Sequence, residues 1–178
     1  MDPVKAARKG RQTAFLALFD EHHAPLFRFA YRLTGSAADA EDLVQECFLE
    51  LLRPECGYDP RRTPIRTYLF GVVRNQWLKR QRRNAWNGEI NEEPGCEDSP
   101  ETGLLEGEIQ DAVARAITAL PATQREALIL AHYEQMPLAE IGRVMGIEIG
   151  AVKSRLERAR ARLRTVLATY APGSGRTR

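Results

Sequence analysis

Between positions 150 and 162 the chain carries a set of side chains suited to reading the edges of base pairs. Ala151, Ser154, Arg155, Arg158 and Arg162 share one helical face, Lys153 stands beside it, and Gly150 leaves room for close approach. Guanidinium groups donate two parallel hydrogen bonds to guanine or to phosphate. A serine hydroxyl bonds to either kind of base edge, and lysine supplies a point charge for phosphate. Such a face works only if its helix is held from behind. Val152, Leu156, Ala159, Leu163, Val166 and Leu167 supply the apolar back. Ahead of it, Leu138, Ile141 and Met145 mark a short amphipathic helix, and Gly146 breaks the chain where a tight turn is needed. Short helix, glycine turn and cationic helix together predict a helix-turn-helix whose second helix, starting near Ile149 or Gly150, enters a major groove. A solvated basic amphipathic helix would explain the charges without the turn that precedes them.

A second basic block lies far upstream. Residues 61–83 hold eight cations (Arg61, Arg62, Arg66, Arg74, Lys79, Arg80, Arg82, Arg83) and no acid. Residues 84–107 then hold seven acids and no cation, with Pro94, Pro100 and four glycines. Residues 153–164 bring six cations against Glu157 alone. Solvated surface charge interleaves its signs, whereas this chain segregates them. Two cationic surfaces attract phosphate by counterion release, and an acidic connector between them avoids it. The net charge of +2 hides this arrangement.

Composition and spacing exclude several classes. No apolar run approaches the ~20 residues of a membrane helix, and the N-terminus lacks a signal-peptide core, so the expected location is the cytoplasm. Cys47, Cys56 and Cys96 form no close pair and fit reduced thiols. His22 and His23 beside Glu21 do not make a zinc pattern, and no glycine loop cradles phosphate. No catalytic residue, cofactor or metal site is expected.

Periodicity predicts an all-α chain. Residues 13–20 and 25–33 read as two short helices, and Gly35 ends the second. Ser36 and Asp39 make a capping-box-like start for a helix bearing Ala40, Leu43, Val44, Cys47, Phe48, Leu51 and Leu52 on one face, stopped by Pro54. Residues 54–64, with three prolines, form a loop holding Tyr58, Arg61 and Arg62. A helix over 65–83 turns Ile65, Leu69, Val72, Val73 and Leu78 inward. After the acidic linker, expected to be flexible, Ile109, Val113, Ala116, Ile117 and Leu120 form a stripe. Thr123 and Glu126 read as a capping box for a helix to Tyr133.

Two strings carry a family resemblance. DAEDLVQECFLELLR, followed by YLFGVVRNQWLKRQRR, resembles region 2 of the RNA polymerase sigma-70 superfamily. LPATQREALILAHYEQMPLAEIGRVMGIEIGAVKSRLERARARL resembles region 4 of its small extracytoplasmic-function group. The resemblance implies two small helical domains joined by a flexible acidic linker. Residues 1–83 would be the region 2 domain, 84–107 the linker, 108–172 the region 4 helix-turn-helix domain and 173–178 a tail. It implies a factor that binds core RNA polymerase and directs initiation at promoters, reading −35 and −10 elements and helping to open the DNA. Gly150, Ala151, Lys153, Ser154, Arg155 and Arg158 would meet the −35 duplex. Ala151 stands where the family often has threonine. Tyr58, Arg61, Arg62, Arg66, Tyr68, Arg74 and Asn75 would meet the −10 element and its single strand, although Tyr68 also suits packing. Asp42, Gln45, Glu46 and Leu49 would contact core polymerase. The partners implied are core RNA polymerase, promoter DNA and an anti-sigma factor.

Three other readings compete. A free-standing helix-turn-helix regulator requires a ligand domain or dimer interface and leaves the 61–83 block unexplained. A decoy that engages protein but not DNA requires Ser154 and Arg158 to be dispensable. A nucleic-acid enzyme requires clustered metal-binding acids within the basic segments.

Overall fold

A computed structural model describes residues 3–10, 12–86 and 104–168. The centre of the acidic linker, Cys96 and the tail at 173–178 lie outside these residues. The described residues form helices and no strand: α1 (Pro3–Arg8), α2 (Gln12–Thr34), α3 (Ala37–Leu52), α4 (Ile65–Trp86), α5 (Leu104–Thr118), α6 (Ala122–Leu128), a π-helical turn (Ile129–Tyr133), α7 (Leu138–Met145) and α8 (Ile149–Leu167).

α2 corrects the sequence reading, which split it at Pro25. The helix runs through Pro25 because Leu18, His22, Leu26, Phe29, Ala30 and Leu33 are all buried on one face. Packing along that stripe outweighs the backbone hydrogen bond that proline cannot make. A second stripe, Phe15, Phe19, His23, Phe27 and Tyr31, aligns rings at four-residue spacing, tilted between Phe15 and Phe19 and stacked from Phe19 onward. α3 begins as its cap predicts, with the Ser36 hydroxyl accepting from the Asp39 amide at 3.2 Å. Its face of Ala40, Leu43, Val44, Cys47, Phe48 and Leu51 is buried against α2 and α4. Arg8 of α1 anchors the end of α3 and the following loop, donating to the Leu51 carbonyl at 2.9 Å and the Cys56 carbonyl at 3.4 Å.

The 122–133 segment also differs from expectation. Its helix starts after Pro121, and no side-chain hydrogen bond caps it. Glu126 instead points across the molecule to Arg74, which outcompetes a local cap because two guanidinium nitrogens reach its carboxylate. In the helix-turn-helix, Gly146 takes φ +66° and closes α7, and the Ile147 amide donates to the Gly142 carbonyl at 2.9 Å. That turn brings the Ile147 carbonyl so close that a Cβ on Gly142 would lie 2.8 Å from its oxygen.

The main apolar core is continuous across both halves of the chain. Leu26, Phe29, Leu43, Leu69, Phe70 and Val73 join Leu130, Ile141, Val144, Met145 and Val152 in one cluster. α4 is the seam, packed on α2 and α3 from one side and on α7 from the other. Leu120, Leu128 and Ala159 form a smaller cluster where α5, α6 and α8 meet.

Candidate nucleic-acid interface

Two cationic surfaces emerge, and they are in different states. On α8, Val152, Leu156 and Ala159 are buried, which fixes the rotation of the helix. Gly150, Ala151, Lys153 and Arg158 are consequently exposed, while Ser154 and Arg155 are half-buried. The exposed set lies on the N-terminal half of the helix, the half that a groove-reading helix inserts. Arg155 is turned toward the molecule, and its charge reaches the carboxylate of Glu126. Arg160 lies farther along, with Nη2 3.4 Å from His132 Nε2.

The second surface comprises the loop after α3 and the first three turns of α4. Asp59 shapes the loop: its Oδ1 accepts from the Arg61 amide at 3.0 Å, and its carbonyl accepts from the amides of Arg62 and Thr63. This turn leaves Arg61 and Arg62 exposed. Tyr58 and Tyr68 pack their rings 5.2 Å apart, and the Tyr68 hydroxyl lies 3.3 Å from Cys56 Sγ. Burial, followed by the neighbouring Cys56, pushes the Tyr68 phenol well above its ordinary range. Both rings are half-buried against the core, so they combine packing with an accessible edge. Asn75 is exposed.

Arg66 and Arg74 belong to the same helix but already have carboxylate partners. Arg74 Nε and Nη2 donate to the two oxygens of Glu126 at 2.9 and 3.2 Å. Arg66 Nη2 donates to the Glu134 carbonyl at 2.6 Å and to its Oε2 at 3.3 Å. Between them, the Thr67 hydroxyl donates to Glu140 Oε2 at 2.6 Å. Arg32 of α2 stacks over the Tyr133 ring at 4.1 Å. The Glu126 and Glu134 side chains are each only 2% exposed, and a carboxylate that deep requires a charged partner. Burial pushes the Glu126 carboxyl upward, and Arg74, Arg155 and Arg125 pull it back toward the charged form.

Sequence reasoning found the cations but missed Glu126, Glu134, Glu140 and Thr67. The available signal was Glu126 itself, an acid placed against the apolar run Ala127, Leu128, Ile129 and Leu130, all buried. An ionisable group in such a run implies a partner from another element.

The third candidate surface lies on α3. Asp42, Gln45, Glu46 and Leu49 are all exposed on one face, and Leu49 keeps 61% of its surface in solvent. Arg80 of α4 bridges to Glu46 at 2.9 Å and to Asp39 at 3.8 Å at the edge of this face. Among the described residues, no group of histidines, cysteines and acids is placed to hold a metal. No described helix is long and apolar enough to cross a membrane.

Residues 18–87 match Sigma-70 region 2, and residues 110–163 match Sigma-70 region 4. The chain is 36% identical over 173 residues to the ECF RNA polymerase sigma factor SigL of Mycobacterium tuberculosis, covering 94% of this chain and 96% of that protein. It is 26% identical over 177 residues to SigW of Bacillus subtilis, covering 92% and 94%. Among solved structures it resembles the sigma factor RpoE in complex with the anti-sigma factor NepR from Bartonella quintana. That likeness has a TM-score of 0.70 and 26% identity, covering 88% of this chain and 98% of that one. It also resembles CnrH in complex with the cytosolic domain of CnrY, with a TM-score of 0.69 and 26% identity over 95% and 97% of the two chains.

Proposed function

This chain belongs to the extracytoplasmic-function sigma factors, and from that premise we propose how its surfaces divide the work of promoter recognition. The factor binds core RNA polymerase and directs promoter-specific initiation, recognising −35 and −10 elements and helping to open the DNA. Its partners are core polymerase, promoter DNA and an anti-sigma factor. It acts in the cytoplasm, and we assign it no catalytic step: phosphoryl transfer belongs to polymerase, and this chain contributes binding energy.

Residues 1–83 are the region 2 domain, 84–107 the linker, 108–172 the region 4 domain and 173–178 a tail. The −35 duplex meets Gly150, Ala151, Lys153, Ser154, Arg155 and Arg158. Gly150 and Ala151 let the backbone approach. Ser154 and Arg158 read base edges, and Lys153 and Arg155 hold phosphate or flanking bases. The single observation that carries this assignment is the buried Val152–Leu156–Ala159 back of α8, which presents Arg158 outward.

The −10 element meets Tyr58, Arg61, Arg62, Arg66, Tyr68, Arg74 and Asn75. Strand opening requires a surface that prefers unstacked bases, and aromatic edges flanked by cations supply one. Arg61 and Arg62 hold the phosphates while Tyr58 and Tyr68 offer ring edges to a displaced base. Asp42, Gln45, Glu46 and Leu49 dock on core polymerase, with the exposed Leu49 as the apolar anchor among polar neighbours.

The test is reconstituted transcription with core polymerase on a randomised promoter library, using wild type and Arg158→Ala. Wild type is expected to select promoters sharing two spaced elements. The variant is expected to lose roughly 1–3 kcal/mol of discrimination at one upstream base pair. Duplex binding by the protein alone, without core-dependent initiation, would favour a free-standing regulator instead.

A further inference from the structure

The −10 cations of α4 are occupied in this structure by carboxylates of the helix-turn-helix half. Residues 61–83 contain no acid, so any carboxylate that pairs with these cations comes from another part of the chain. Glu126 follows from α6, Glu134 from the end of the π-helical turn and Glu140 from α7. Their partners Arg66, Thr67 and Arg74 span about 12 Å along α4. A carboxylate and a phosphate oxygen ask the same thing of a guanidinium, namely two acceptors in its plane. We propose that Glu126, Glu134 and Glu140 form an acidic clasp that mimics a nucleic-acid strand, so that the helix-turn-helix half and melted promoter DNA compete for one face of α4. This inference rests on the sigma-factor reading for the identity of the competing ligand.

Three observations shape how such a clasp works. Glu126 is 2% exposed and Arg74 13%, so water does not screen that pair as it does a surface pair, while the Arg66–Glu134 pair is more open on its Arg66 side, at 36%. The polar contacts lie over the apolar seam of α4 and α7, where Leu69, Phe70 and Val73 join Ile141, Val144 and Met145 in one core. Opening the clasp therefore also exposes apolar surface, and closure is the resting state of the free chain. Meanwhile Arg61 and Arg62 are exposed and make no contact with the clasp glutamates, and Lys153 and Arg158 of α8 are exposed as well, whereas Arg155 adds its charge to Glu126. A single strand has a foothold beside the clasp but gains the rest of its site only by displacing it. Duplex contact by the exposed Lys153 and Arg158 requires no such displacement.

The test uses the full-length chain with a fluorescent thymine- and adenine-rich single-stranded 12-mer. The triple variant Glu126→Gln, Glu134→Gln, Glu140→Gln is compared with a charge-matched control, Asp20→Asn, Glu55→Gln, Asp111→Asn, whose positions are exposed and outside the clasp. The clasp predicts at least tenfold tighter binding for the triple variant than for the control, with a larger radius of gyration in small-angle X-ray scattering. Equal affinities in variant and control overturn it. Should the triple variant fail to fold, hydrogen exchange on the wild-type protein decides. Adding the 12-mer should slow exchange in residues 58–75 and speed it in residues 126–145. Slowing without the accompanying loss of protection means that DNA binds with the clasp closed, and the proposal fails. Core-dependent initiation by the wild type is measured in parallel. Initiation together with equal 12-mer affinities of variant and control discards the clasp and leaves the sigma-factor reading standing. Absence of initiation discards that reading, and the 12-mer and exchange results still decide the clasp.

Discussion

Cys47 and Cys56 show how burial separates two identical side chains. Cys47 is wholly buried, and its thiol donates to the Leu69 carbonyl at 3.6 Å. Burial drives its ionisation far above the ordinary thiol range, and the nearby Glu50 adds to this. Since only the thiolate reacts, Cys47 should be inert in the folded protein. Cys56 is half-buried beside Tyr68. Under native conditions iodoacetamide followed by peptide mass mapping should label Cys56 and spare Cys47, with Cys47 labelled only in denaturant. His22 is a second residue with a readable consequence. Its Nε2 has no hydrogen-bond partner, and burial lowers its pKa from 6.5, outweighing Glu21, which raises it, while Arg66 lowers it further. The folded state therefore holds fewer protons on this ring than the unfolded state below about pH 6.5. Stability should be constant in this respect above that pH and fall as pH drops through 6.5. Urea melts between pH 7.5 and 5.5 should show that fall, and His22→Gln should flatten it. An unchanged slope in the variant would assign the dependence elsewhere.

At the scale of elements, two backbone features carry sharp expectations. Gly142 admits no Cβ because the Ile147 carbonyl oxygen would lie 2.8 Å away, and that oxygen belongs to the backbone of the turn itself. Gly142→Ala should cost about 1–3 kcal/mol, the usual range for overpacking, visible as a lower thermal midpoint. It should also weaken −35 duplex binding, because the turn sets the angle of α8. Pro25 works in the opposite direction. It stands inside α2, where an alanine would restore an amide donor to the Glu21 carbonyl and relieve the ring's steric demand. Pro25→Ala should therefore raise the thermal midpoint, by up to about 3 kcal/mol of stability. A lower midpoint would mean that the proline ring itself is a packing element.

For the whole molecule, the decisive feature is that one apolar core joins both halves through α4. The Arg74–Glu126 pair sits within that junction, with both side chains nearly withdrawn from water. Breaking such a pair from one side leaves an uncompensated buried charge, which typically costs 3–5 kcal/mol. Glu126→Ala should thus destabilise the closed chain more than Glu134→Ala, because Arg66 is 36% exposed and can turn to solvent. Differential scanning calorimetry of the two variants checks the order. A reversed order would show that Arg74 escapes to water more readily than its burial suggests.

The helix-turn-helix and the α3 face were legible in sequence because each depends on local spacing. Apolar residues at three- and four-residue intervals decide which side of a helix is buried, and Gly146 ends α7 in a left-handed conformation that glycine adopts at no steric cost. The outward presentation of Arg158 and of Leu49 follows from those patterns alone. The continuity of α2 was not legible, because a proline's local penalty was weighed without the packing that opposes it. Nor was the fate of Glu126, which carries the signature of a local cap but serves a guanidinium 52 positions away. Segregated charge announces that the cations of 61–83 want an anion. Whether that anion is a phosphate or a carboxylate of the same chain depends on which elements meet in space, and that is set by the apolar seam between α4 and α7.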